Sequence, residues 1–134
     1  MVGDQRAWYM FETIGFSDPN PRTVKVQEKL VRDKIVNLVG PGTFSFRTAE
    51  DSEMPRLLAY KLLEETEELF AEIVNIECRD STDTTKVLSE GADLLEALYS
   101  TIQRYGFSQE ELHLEMLRKR SEKGGFKGNQ VLIY

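Results

Sequence analysis

Glu64, Glu65, Glu67, Glu68 and Glu72 crowd one stretch of this chain, and Glu90, Asp93 and Glu96 crowd a second. At 100° per residue on a helix, Glu65, Glu68 and Glu72 share one stripe, while Glu90, Asp93 and Ala97 share another. Glu96 stands one turn beyond Asp93, and Asp93 interrupts an otherwise apolar run from Ala92 to Leu95. Acidic groups at such spacings on a solvated helix face repel by only about tenths of a kcal/mol and need no explanation. In a partly dry groove the same groups would repel strongly and raise one another's pKa values. A divalent cation removes that repulsion. An all-oxygen donor set suits Mg²⁺ or Mn²⁺ rather than zinc, and Mg²⁺ keeps positions open for water and substrate phosphate oxygens.

Composition narrows the alternatives. A chain of 134 residues with 40% hydrophobic and 30% charged content is one domain with a core rather than two or a disordered segment. His113 is the only histidine, which removes most histidine-based zinc sites and the diiron bundle built on two Glu-x-x-His motifs. Cys78 is the only cysteine, so no intramolecular disulfide forms and a cytoplasmic setting is expected. Asp4, Arg6 and Trp8 fall where the apolar part of a secretory leader would begin. No apolar run approaches the roughly 20 residues of a membrane span. The net charge of −6 argues against general nucleic-acid binding.

The elements that must position the carboxylates are helices. A first helix is expected from about Val26 to Val39, stopped by Gly40-Pro41. A second starts near Ser52 to Pro55 and runs to about Ile76, with Leu62, Thr66, Leu69, Ile73 and Ile76 as its seam. Asp83 is a reasonable N-cap for a third helix ending near Tyr105, with Leu88, Gly91, Leu95, Leu98 and Ile102 as its seam. Gly106 is its stop. Ser108-Gln109-Glu110-Glu111 has the spacing of a capping box, opening a fourth helix to about Lys123 that Gly124-Gly125 breaks. The expected class is all-α, a bundle of four to five helices. If the second and third seams pack antiparallel, the two sets of carboxylates face each other across a short gap.

This arrangement resembles a known family. Glu65-x-x-Glu68, followed after residues 69–89 by Glu90-x-x-Asp93, is similar to the metal-binding signature of the all-α nucleoside triphosphate pyrophosphohydrolases, which include MazG-like enzymes, dimeric dUTPases and phosphoribosyl-ATP pyrophosphohydrolase. Lys29-Leu30-Val31-Arg32-Asp33-Lys34-Ile35 resembles the opening of one MazG-like, phosphoribosyl-ATP pyrophosphohydrolase-like branch. Glu122-Lys123-Gly124-Gly125-Phe126 resembles that branch's C-terminal end. The likeness covers about residues 27–130, so residues 1–24 read as an N-terminal extension and 25–134 as the domain.

The resemblance implies a metal-dependent hydrolase that splits a nucleotide between its α and β phosphates, giving a monophosphate and pyrophosphate in a house-cleaning role. Carried over, Glu65, Glu68, Glu90 and Asp93 would hold Mg²⁺ or Mn²⁺. Glu64 and Glu96 are the further carboxylates able to orient or deprotonate the attacking water. Two basic groups, one around Lys29 and Arg32 and one from Arg118 to Lys127, offer charge for phosphate. Lys29, Arg32 and Lys123 are the preferred contacts, with Phe126 against base or ribose. The helix seams, and the assembly of relatives, imply a homodimer or homotetramer. The rival readings are the phosphoribosyl-ATP pyrophosphohydrolase of histidine biosynthesis and a non-catalytic helical interaction module.

Overall fold

The computed structural model describes residues 28–40, 42, 44–79 and 83–134. Its elements are α1 (Ile35–Leu38), a 3-10 turn (Asp51–Glu53) leading directly into α2 (Met54–Arg79), α3 (Thr85–Arg104) and α4 (Gln109–Lys123). No strand occurs among the described residues. The fold is all-α. The expected extension over 1–24 lies outside them.

Local chemistry sets most boundaries. Glu50 is extended at the head of the 3-10 turn, and its backbone N–H donates to the Glu53 carboxylate at 2.7 Å. Pro55 then sits in the first turn of α2, where a missing N–H costs nothing. Asp83 accepts hydrogen bonds from the Thr85 backbone N–H (3.1 Å) and hydroxyl (2.6 Å), so it secures α3 from just ahead of the N-cap residue, Thr84. Gly106 closes α3 at φ 90°, with Phe107 N–H donating to Ile102 and Gly106 N–H to Gln103, the paired bonds of a Schellman ending. At the start of α4, Glu111 N–H donates to Ser108 Oγ at 3.1 Å and Ser108 N–H to Glu111 Oε1 at 3.2 Å, which is the capping box.

The expected first helix is much shorter than its periodicity suggests. Residues 28–34 are not helical, and only Ile35–Leu38 form a turn of helix. The cause is tertiary. Lys29 Nζ donates to Glu64 Oε1 at 2.9 Å and Arg32 Nη2 to Asp93 Oδ1 at 2.6 Å. These bonds tie the segment across both long helices, and an isolated turn or two of helix has too little cooperativity to compete. Arg47 secures the same segment from its other side. Its guanidinium donates to Glu28 (2.8 and 3.2 Å) and to Glu53 (2.7 and 3.0 Å). The Glu53 carboxyl is accordingly held down at about 2, chiefly by Arg47 and then by the Glu50 N–H.

The two long helices form an antiparallel hairpin. The far end of α3 returns to the start of α2, where Arg104 Nη2 donates to Asp51 Oδ1 at 2.8 Å and to its carbonyl at 3.1 Å. Much of the expected seams is enclosed, with Leu62, Leu69 and Ile76 on α2 and Gly91, Leu98 and Ile102 on α3 half-buried. Leu58 and Glu65 on α2 and Ala97 on α3 are the only buried side chains among the described residues. Ile73 is 47% exposed, Leu95 44% and Leu88 78%. Around α3, Leu88 stands opposite Ala97, so Leu88 and its neighbour Leu95 form the outward edge of that helix's apolar side. Glu90, Ala97 and Thr101 share one stripe of α3. Glu65 is buried and Glu90 half-buried in the hairpin, whereas Glu68 is exposed at its rim. α4 turns off at the Gly106 corner and, among the described elements, touches α3 alone.

Candidate metal centre

Because the stripe containing Glu65 faces the stripe containing Glu90, three carboxylates converge between α2 and α3. Glu65, Glu68 and Glu90 each offer one oxygen, and these three atoms lie within 4.8 Å of one another. The Oε2 atoms of Glu65 and Glu90 are buried, and neither has a hydrogen-bond partner. A buried carboxylate oxygen with nothing to accept from is costly, about 1–3 kcal/mol and more when charged. Two in one cluster mark a place where a positive ligand would be gained. At the 2.0–2.1 Å typical of Mg²⁺, ligand oxygens stand roughly 3 to 4.2 Å apart, so a small contraction of this group meets the requirement. The donor set fits a hard divalent cation.

Electrostatics agree with the crowding. Glu68 is exposed as a residue, but partial desolvation of its carboxyl beside the cluster pushes it up to about 7, aided by the charge of Glu65, by its hydrogen bond and charge interaction with Glu90, and by Glu64. Positive charge arriving beside it would make removal of that proton easier.

Cations already border the cluster. Lys61, one turn ahead on α2, places Nζ 3.0 Å from Glu65 Oε1 and 3.5 Å from Glu64 Oε2. Lys29 holds the other Glu64 oxygen at 2.9 Å, and this bond raises the ammonium's own pKa against an opposing effect of burial. Arg32 holds Asp93.

The ten residues singled out in the sequence thus divide. Glu65, Glu68 and Glu90 come together as one group. Asp93 lies outside it, half-buried on α3 and turned to Arg32. Glu64 sits beside the group, held by two lysines. Glu96 is exposed on α3. Lys29 and Arg32 are brought to the carboxylates, whereas Lys123 and Phe126 are exposed at and beyond the end of α4, a helix without contact to α2. Lys61, the one basic residue close to these glutamates along α2, is the neighbour to which the sequence reading gave no role at the site. Its signal was present in the i,i+3 and i,i+4 spacing to Glu64 and Glu65, which places an ammonium against both.

No family model matches this chain, no curated protein is found similar to it, and no solved structure matches its fold.

Proposed function

We propose that the chain is a divalent-cation-dependent nucleotide pyrophosphohydrolase, cleaving between the α and β phosphates of a nucleoside triphosphate or related nucleotide. One observation carries the reading: three carboxylates from two helices converge with two buried, unpartnered oxygens among them. In this proposal Glu65, Glu68 and Glu90 hold Mg²⁺ or Mn²⁺, and Asp93 joins them by exchanging Arg32 for the cation. A bound cation would neutralise charge developing on phosphoryl oxygens and make a coordinated water more acidic. Glu64, fixed by Lys29 and Lys61, orients the attacking water and accepts its proton, with Glu96 the other carboxylate of that kind. Lys29 and Arg32 bind the phosphates once they leave their carboxylate partners, the arginine through its fork of donors. Lys123 and Phe126 contribute to the nucleotide pocket only if a second copy supplies them.

A second copy belongs to the proposal for an energetic reason. Each ordered residue costs about 1–2 kcal/mol of backbone entropy, whereas burying a leucine returns about 1.5–3 kcal/mol. Leu58 and Ala97 are the only buried apolar residues among those described. The outward stripe of Leu88 and Leu95, with Phe70, Ile73 and Val74 on α2, supplies what a homodimer or homotetramer would cover. No helix among the described residues is long and apolar enough to cross a membrane, and a cytoplasmic house-cleaning enzyme is the corresponding setting.

The test is a panel of nucleotides assayed for pyrophosphate release with Mg²⁺, with Mn²⁺ and with excess chelator. Release from at least one nucleotide, abolished by chelation and restored by either cation, is expected. Arg32→Glu is expected to raise KM for that nucleotide while leaving helix content intact. A wild-type chain that releases no pyrophosphate from any nucleotide with either cation would leave a helical interaction module as the reading.

A further inference from the structure

Lys61 presents a physical puzzle. Its side chain is only 18% exposed, and its ammonium lies against Glu65, whose side chain is 8% exposed. A half-buried cation one turn from a proposed cation site should weaken that site by repulsion. If it served only to neutralise charge, it would do so best between the two oxygens of Glu65. It does not sit there. Nζ contacts Oε1 at 3.0 Å, and Oε2 is left buried without a partner in the same cluster as the equally unpartnered Oε2 of Glu90. Lys61 divides the Glu65 carboxylate into one committed oxygen and one available oxygen.

That division has a consequence for which cation fits. A carboxylate with one oxygen committed to an ammonium offers a metal a single oxygen. Mg²⁺ demands a near-ideal octahedron of six ligands at short distance, which single-oxygen carboxylates and waters satisfy. Ca²⁺ takes six to eight oxygens at longer distances and gains from carboxylates that bind through both. Glu64 reinforces the arrangement from the other side, since its Oε2 stands 3.5 Å from the same ammonium and its Oε1 is held by Lys29.

We propose that Lys61 is a positioning residue that restricts Glu65 to one-oxygen ligation and so selects a small octahedral cation over Ca²⁺. The inference rests on the metal reading above and adds to it the origin of cation choice.

Calorimetric titration of the full chain with Mg²⁺, Mn²⁺ and Ca²⁺, without nucleotide, tests it. Lys61→Met removes both the charge and the donor. Affinity for all three ions then rises, and affinity for Ca²⁺ relative to Mg²⁺ rises further, on the order of tenfold, as befits a group that orients a ligand. Lys61→Arg keeps charge and donor and retains the wild-type ratio. Lys61→Gln, which keeps a polar group against the buried carboxylates, falls between and guards against a packing defect in the methionine variant. Circular dichroism confirms that each variant is helical. A Ca²⁺ to Mg²⁺ ratio unchanged in both folded Lys61→Met and Lys61→Gln would overturn the role of Lys61 while leaving the metal site standing. A wild-type chain that binds none of the three ions would overturn both.

Discussion

The α2–α3 hairpin and the final helix α4 reach helical order by opposite routes. In the hairpin, the bonds that matter join residues far apart in sequence: Lys29 to Glu64, Arg32 to Asp93 and Arg104 to Asp51. Its buried positions carry a glutamate as well as a leucine and an alanine. In α4, everything is local. Ser108 and Glu111 cap it, and Arg118 pairs along the same face with Glu115 and with Glu122 at 2.7 Å. No residue of α4 is buried. The difference teaches that α4 is held by its own sequence and is available for docking, while the hairpin spends its packing on bringing carboxylates together.

The largest effect that would test this contrast is chemical. Glu68→Gln is expected to lower the rate of pyrophosphate release by at least about two orders of magnitude, within the range for losing a metal ligand's charge and position. Glu77→Gln, near the exposed end of α2, should change the rate little. Steady-state kinetics with a cation titration of each variant measures both, and equal losses would point to a folding defect instead.

Next in size is the cap of α4. Ser108→Ala should destabilise by about 1 kcal/mol, the usual cost of losing an N-cap hydroxyl. Thermal melts would record it, while cation affinity stays at the wild-type value because the cluster is independent of α4.

A smaller effect concerns pH. The Glu68 carboxyl is raised from 4.5 to about 7, so between those values the folded chain binds more protons than the unfolded chain. Stability in chelator therefore declines as pH rises through that window. Cation affinity moves the opposite way, rising as Glu68 gives up its proton. Melting curves across this range, with and without Mg²⁺, should diverge towards the higher pH. Glu68→Gln should flatten the chelator series.

The smallest expected effect is that of Arg118→Ala, which breaks two exposed pairs on α4. Its melting temperature should stay close to the wild-type value, because exposed ion pairs contribute little. A large loss there would mean that α4 is seated against something.

What the sequence disclosed follows the same division. The limits of α4, the Gly106 stop and the cap at Ser108 were legible because each depends on neighbours a few residues away. The convergence of Glu65, Glu68 and Glu90 was legible from their shared stripes. The facing of the hairpin was legible in part: Leu62, Leu69, Leu98 and Ile102 of the expected seams are half-buried, whereas Leu88, Leu95 and Ile73 of the same seams are exposed. Periodicity gives the width of an apolar face but not which neighbour claims it. The diversion of Asp93 to Arg32, and the loss of helix over residues 28–34, depend on contacts between distant segments that no local rule contains.

Arg47 has a further consequence. By holding Glu28 and Glu53 together, it moors the segment that carries Lys29 and Arg32 to the first turn leading into α2. Two cations that would otherwise diffuse with a loose chain are thereby presented to the acidic cluster as tethered groups. Short tethers correspond to effective concentrations on the order of millimolar or higher. A carboxylate that loses one of these side chains thus has a replacement already in reach, so the mooring at Arg47 turns a bimolecular search for countercharge into an exchange between neighbours.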